Sequence, residues 1–350
     1  MISPRLCSLL LFLLVPGAHA GQAAARHDPV AENMVLLQTA SGGWSKHFRG
    51  QKVDYHLEVS IPARSALADP ARVDDATIDN HATTHEIGYL ADAWSRTGNP
   101  NYLSAAKRGV DYLLAAQYPN GGWPQFYPDT SGYRQHITLN DDAMVRVISL
   151  LQGIARGEGA LSALRPEFGI RAGQAAERGL ACLLALQVQL DGKPTIWAAQ
   201  YDRMTLAPAK ARAYELPSLA VAESVSVVRL LMAQPAPDPA MVAAIESATA
   251  WLQAHGLSDL AIERVQAPEE ESGHDVRVVS RPGATLWARF YDLEQQRPLF
   301  VDRTSTPVTF QTLPNERRVG YAWYGVWPGK LLNEELPRWR HRRGHDRAAN

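Results

Sequence analysis

An Asp beside an Asn, at the point where a loop enters a helix, occurs twice in this chain. The stretches are Thr77-Ile78-Asp79-Asn80-His81-Ala82-Thr83 and Thr138-Leu139-Asn140-Asp141-Asp142-Ala143-Met144. Their carboxylate and amide oxygens are hard donors of the kind that hold Ca2+. One such acid alone reads equally well as a helix cap, because a helix start offers unpaired N–H groups that favour an anion. Two similar loops, each with more acid and amide than one cap needs, point to convergence on a shared cation.

Helices must position these loops. Ile87, Leu90, Ala91 and Trp94 follow the first loop, and Met144, Val147, Ile148 and Leu151 the second, both at the i, i+3, i+4, i+7 spacing of an amphipathic helix. Further helical segments are expected near 28–38, 101–117, 171–188, 217–233 and 238–255, punctuated by Gly98-Asn99-Pro100 and Asp238-Pro239. An internal echo joins them: a Gln near a helix end leads to a Gly turn and a Trp. It reads Gln38 to Gly42-Gly43-Trp44, Gln117 to Gly121-Gly122-Trp123, and Gln187 to Gly192 and Trp197. Repeated helical hairpins of this size predict a mainly α fold, an irregular α/α barrel or toroid. From about 259 to 325 the alternation of Val276 and Val278 with charged residues predicts a small β region packed on the helical body.

Residues 1–20 read as a signal peptide: Arg5, an apolar run from Leu9 to Val15, and Ala18-His19-Ala20 before Gly21. The run is too short to span a bilayer, so a secreted or periplasmic protein with no membrane association is expected. Residues 21–335 then form a single domain, and 336–350 a solvated basic tail carrying Arg338, Arg340, Arg342, Arg343 and Arg347. Lys and Arg total 35 against 36 Asp and Glu, a balance that argues against nucleic acid as the main partner. Cys182, in apolar surroundings, is expected in the core and unpaired.

Three arginines stand out. Arg212 precedes Tyr214 and Glu215, Arg289 lies between Trp287 and Phe290, and Arg303 follows Asp302. Each can be explained by an ion pair, Arg212 with Glu215 or Arg303 with Asp302. With Lys46 they also make a set suited to a polymer of carboxylates, which guanidinium groups bind bidentately. Trp44 and Trp123, on Gly-rich turns, can either stack on sugar rings or plug the space between helices.

Several ordered blocks resemble the pectate lyases of polysaccharide lyase family 10. They are Thr77-Ile78-Asp79-Asn80 with Ala82-Thr83-Thr84, Gln117 to Gln125, and His136-Ile137-Thr138 with Asn140-Asp141-Asp142-Ala143-Met144. Ala211-Arg212 with Tyr214-Glu215 and Pro217-Ser218, Arg289-Phe290-Tyr291 through Asp302-Arg303, and Arg317-Arg318 with Gly320-Tyr321 and Trp323-Tyr324 complete the set. The resemblance implies an α/α barrel that cleaves polygalacturonate by Ca2+-dependent β-elimination, acting as a monomer. It implies Asp79 and Asp141 as Ca2+ ligands, with Asn80, Asn140 and Asp142 as secondary donors. Arg303 matches the base; Lys46, Arg212, Arg289, Arg318, Tyr321 and Trp123 match substrate-binding positions. A guanidinium base requires neighbouring cations to disfavour its charged form, and an alkaline optimum follows.

The chain departs from the family pattern at His81 and His85, at Ser45 before Lys46, and at Thr304-Ser305 after Arg303. His81 and His85, four apart on a helix start, also raise a zinc reading, but without an internal Glu-x-x or a third placed His. Two other readings compete: an α/α-barrel glycoside hydrolase using paired carboxylates, and an exported uronate-binding protein without activity.

Overall fold

The computed structural model describes residues 27–67 and 73–349. The expected signal peptide lies outside them. Eleven helices are seen among the described residues: α1 (Pro29–Leu37), α2 (Ile61–Leu67), α3 (Thr84–Thr97), α4 (Pro100–Ala116), α5 (Ala143–Arg156) and α6 (Arg165–Ala185), then α7 (Val221–Met232), α8 (Pro239–Ala254), α9 (Asn315–Gly320), α10 (Trp327–Lys330) and α11 (Leu336–Ala349). Side chains cap the starts of α1, α4 and α8. Asp28 accepts from the N–H groups of Val30 and Ala31 at 3.1 Å, Asn99 from Asn101 at 3.0 Å, and Asp238 from Met241 at 2.8 Å, each ahead of a Pro in the first turn.

Helices α3 and α4, α5 and α6, and α7 and α8 pack as successive hairpins. Helices α1, α3, α5 and α7 neighbour one another in one layer, and α4, α6 and α8 in a second. The internal echo has a physical basis. The Gln38 amide donates to the carbonyls of Gly42 and Ala105 at 2.7 and 2.9 Å, Gln117 to Gly121 and Ala175 at 3.0 and 2.9 Å, and Gln187 to Thr195 and Ala244 at 2.8 and 3.1 Å. Each Gln thus ties its own turn to the outer helix of the next hairpin. The indole N–H groups of Trp44, Trp123 and Trp197 repeat the pattern, donating to Met34, Leu113 and Leu183 carbonyls at 2.7 to 2.8 Å. Gly42 and Gly121 carry φ of 94° and 90° and press on the carbonyls of Arg108 and Arg178, where a Cβ has no room.

Short strand pairs stitch the hairpins together at one end. Ile137–Thr138 pairs with Gln200–Tyr201, Leu219–Ala220 with Phe290–Tyr291, and Thr77 bridges Phe126. The expected β region is a long antiparallel pair, Leu257–Gln266 with His274–Ala288, extended by Tyr324–Gly325. Helix α6 begins six residues earlier than its apolar stripe predicts, because Gly169 and Gly173 interrupt the stripe without breaking the helix. The basic C-terminal segment is helical: Leu336 and Trp339 are buried and Arg340 pairs with Glu246, while Arg338 and Arg342 stay exposed. Cys182 is buried and unpaired, and burial pushes its thiol up to about 12. Among the described residues, no helix is long and apolar enough to cross a membrane.

Candidate active site

The strand stitches set the loops 77–83 and 138–144 side by side, next to the first turn of α7 and the residues around Arg289. Both loops turn through the left-handed region. Asn80 and Asp141 have φ of 49° and 50°, followed by His81 at 73° and Asp142 at 62°. Asn, Asp and His tolerate that region best among residues with a side chain.

The turn sends Asp79 inward, where it is 2% exposed. Its Oδ2 accepts from the Lys46 ammonium and, at 3.3 Å, from the Asn80 amide, whereas its Oδ1 is buried with no hydrogen-bond partner. Asp141 is half-buried; the Asn140 amide donates to it at 3.1 Å and the Arg289 guanidinium lies 3.8 Å away. Arg289 is clamped by Glu223, a buried acid in the first turn of α7, and lies over the rings of Phe290 and Tyr321 at 5.7 and 5.2 Å. The Tyr321 hydroxyl reaches Glu215 at 3.4 Å, and Glu215 binds Arg212 through Nε at 2.8 Å and through a second guanidinium nitrogen.

Two neighbouring acids, Asp79 and Asp141, are thus flanked by Lys46 on one side and by Arg289 on the other. Burial raises the Asp141 carboxyl above its ordinary value and the charge of Asp79 raises it further, against Arg289, Arg212 and Lys46. Burial also raises Glu223, opposed by Arg289. Such a site favours one more positive charge near Asp79 and Asp141 and tolerates an anion beside the three cations.

Residues 38–332 match the family model for pectic acid lyase. The chain belongs to that family. It is a polysaccharide lyase, which sets the hydrolase reading aside. Two solved structures of family 10 polysaccharide lyase from Cellvibrio cellulosa, one unmodified and one an Asp-to-Ala mutant in complex with trigalacturonic acid, are each 29% identical with a TM-score of 0.74. Both alignments cover 87% of this chain and 90% of the other. No curated protein matches.

Within this lyase, Lys46, Asp79, Asn80, Asn140, Asp141, Arg212, Arg289 and Tyr321 come together, and Asp142 lies just beside them. Other expectations need correction. Trp123 is 0% exposed, its ring wedged between helices like those of Trp44 and Trp197, so it cannot meet a sugar. Arg318 spends its donors elsewhere, on Asp275 at 2.9 and 3.1 Å and on the carbonyls of Gln311 and Leu313, where it clamps the long β hairpin. Its neighbour Arg317 faces inward instead, buried with its guanidinium 3.9 Å from the Tyr214 ring and 5.3 Å from that of Tyr321.

Arg303 pairs with Glu316 rather than with Asp79 or Asp141. It is exposed and donates to Glu316 at 2.7 and 3.0 Å, a pair that raises its pKa as Glu215 raises that of Arg212. Asp302 is not its partner; it caps the turn, accepting from the N–H groups of Thr304 and Thr306 at 2.8 and 3.0 Å. Glu223 escaped the sequence reading, although a lone acid in the apolar run Leu219 to Val225 signals it. Among the described residues, no three His, Cys, Asp or Glu side chains gather as a metal-holding group.

Proposed function

We propose that this lyase is an exported, Ca2+-dependent pectate lyase that cleaves polygalacturonate by β-elimination, and that its hairpins close into an α/α barrel. The observation that carries the reading is the pairing of Asp79, whose buried Oδ1 lacks any partner, with Asp141, whose charge is penalised by the same acid. A hard cation relieves both. Asp79 and Asp141 would hold Ca2+, with Asn80, Asn140 and Asp142 nearby, and the ion would add its charge to that of the cations that neutralise the uronate carboxylate. The trigalacturonic acid bound by the Cellvibrio lyase supports the substrate class.

The residues divide the work as follows. Arg289, fixed by Glu223 and by two aromatic faces, and Lys46 bind and neutralise the uronate carboxylate, acidifying the proton on the adjacent ring carbon. A base removes that proton, the C–H electron pair forms the ring double bond, and the glycosidic C–O bond breaks as the leaving oxygen takes a proton from solvent. Arg212 is our candidate for the base, because with Arg289 and Lys46 it acts on the charge of Asp141. In the free protein the hydrogen bond to Glu215 raises the pKa of Arg212. Turnover thus requires that pair to open while the neighbouring cations oppose the charged guanidinium, and the optimum is alkaline.

Incubation with polygalacturonate, with Ca2+ or with a chelator, tests the reading through ultraviolet absorbance of the unsaturated product and through reducing ends. Absorbance that rises only with Ca2+ is expected. Reducing ends without absorbance would overturn elimination, and binding with neither signal would make the chain an inactive uronate binder. Arg212→Ala should lower turnover by about 10²- to 10⁴-fold, the span of general acid–base catalysis, while polymer binding persists. Arg303→Ala should cost less than about 10-fold on that scale; the reverse ranking would return the base to Arg303.

A further inference from the structure

Beside the acid loops a cavity of about 640 Å3 opens between α3, α5 and α7. That volume lies within the roughly 300–1,000 Å3 of small-ligand sites. His81 and His85 border it at the start of α3, Arg146 and Ser149 from α5, and Ser226 and Arg229 from α7. It adjoins the acid loops, since His81 and Asp142, the residues after Asn80 and Asp141, line it.

Its lining suits a polyhydroxylated anion, with Asp142 as its one acid. Arg146 meets Asp142 only at 3.5 Å, and its Nε is buried with no hydrogen-bond partner. Arg229 is held by Glu335 at 2.7 and 3.2 Å, which fixes its guanidinium at the wall. Two imidazoles and two serine hydroxyls supply further donors and acceptors suited to sugar hydroxyls. Val145 and Leu230 give the cavity an apolar side of the kind that packs against a ring face.

We propose that the cavity is a distal subsite for an acidic oligosaccharide, taking a uronate residue of the chain beyond the one held at Asp79 and Asp141, with Arg146 as its carboxylate partner. The proposal rests on the lyase reading above and extends it to substrate length.

The test follows elimination rates on galacturonides from trimer to hexamer and on the polymer, for the parent chain, for Ser149→Trp, which fills the cavity, and for Arg146→Gln, which removes the charge at similar size. The parent should gain in kcat/KM with length. Both variants should match it on the trimer within about two-fold and raise KM on the longest substrates by about ten-fold, as loss of one charged contact does. An unchanged length dependence in both variants, or none in the parent, overturns the subsite. If the parent forms no unsaturated product at all, the lyase reading fails separately. Calorimetry with the hexamer then decides the subsite on its own: weaker binding in both variants supports it, and equal affinity in all three proteins overturns it.

Discussion

The two acid loops share a backbone and differ in where they place their charge. In the first, the carboxylate occupies the inward position and the amide the left-handed one, as Asp79 and Asn80; in the second the order is reversed, as Asn140 and Asp141. The reversal buries one acid against Lys46 and leaves the other half-open beside Arg289. A fold that repeats its hairpins thus yields two unlike carboxylates, one fixed and one exposed to whatever enters the cleft. The third unit continues the series with Glu223, which does not face the cleft but pins Arg289.

The largest expected effect comes from making the first loop read like the second. Asp79→Asn should lower elimination by about 10²- to 10³-fold, the scale seen when one preorganised electrostatic contact is lost. Adding Asn80→Asp returns the charge but at an exposed position in place of the buried one that Lys46 holds, and should not restore the rate. Rate and Ca2+ requirement measured on both variants decide between geometry and total charge. Recovery in the double variant would mean that the two positions are equivalent and that the contrast has no functional weight.

The sequence carried the helices well, because caps and apolar stripes are local. It carried the two loops for the same reason. It failed where the answer depends on which way a residue faces after packing. Trp44 and Trp123 on Gly turns look alike whether they stack on sugar or plug a core, and only the approach of the next hairpin buries them. Arg317 and Arg318 are neighbours on the six-residue helix α9, so about 100° of helical turn sends one inward and the other to Asp275. The partner of Arg303 lies 13 residues away, beyond any local pattern.

The helices that follow the loops sharpen the contrast. Ile87 and Ile148 fill matching places against Gly109 and Gly179, so Glu86 on α3 corresponds to Val147 on α5. Burial raises the Glu86 carboxyl to about 7, although the Tyr55 hydroxyl, donating at 2.8 Å, pulls it down. A raised acid stabilises the fold below its unfolded value near 4.5 and loses that contribution as pH rises through about 7. Roughly 3 kcal/mol should disappear between pH 4.5 and 8 relative to Glu86→Gln. Unfolding of the two proteins at pH 5 and pH 8 measures it. Parallel pH dependence in parent and variant would show that α3 and α5 carry equivalent cores despite the acid.

The smallest effects test whether the units are true repeats beneath their different loops. Trp44→Phe and Trp123→Phe each remove an indole N–H and leave a buried carbonyl, of Met34 or of Leu113, without its donor. An unsatisfied buried group costs about 1–3 kcal/mol. Because both rings are fully buried and press on Gly109 and Gly179 in the same way, the two losses should agree within about 0.5 kcal/mol, the margin within which distant independent sites behave additively. Denaturant midpoints at constant slope give both values. A loss at one Trp several times that at the other would mean the hairpins differ in their packing, so the unlike acids could not be ascribed to loop order alone.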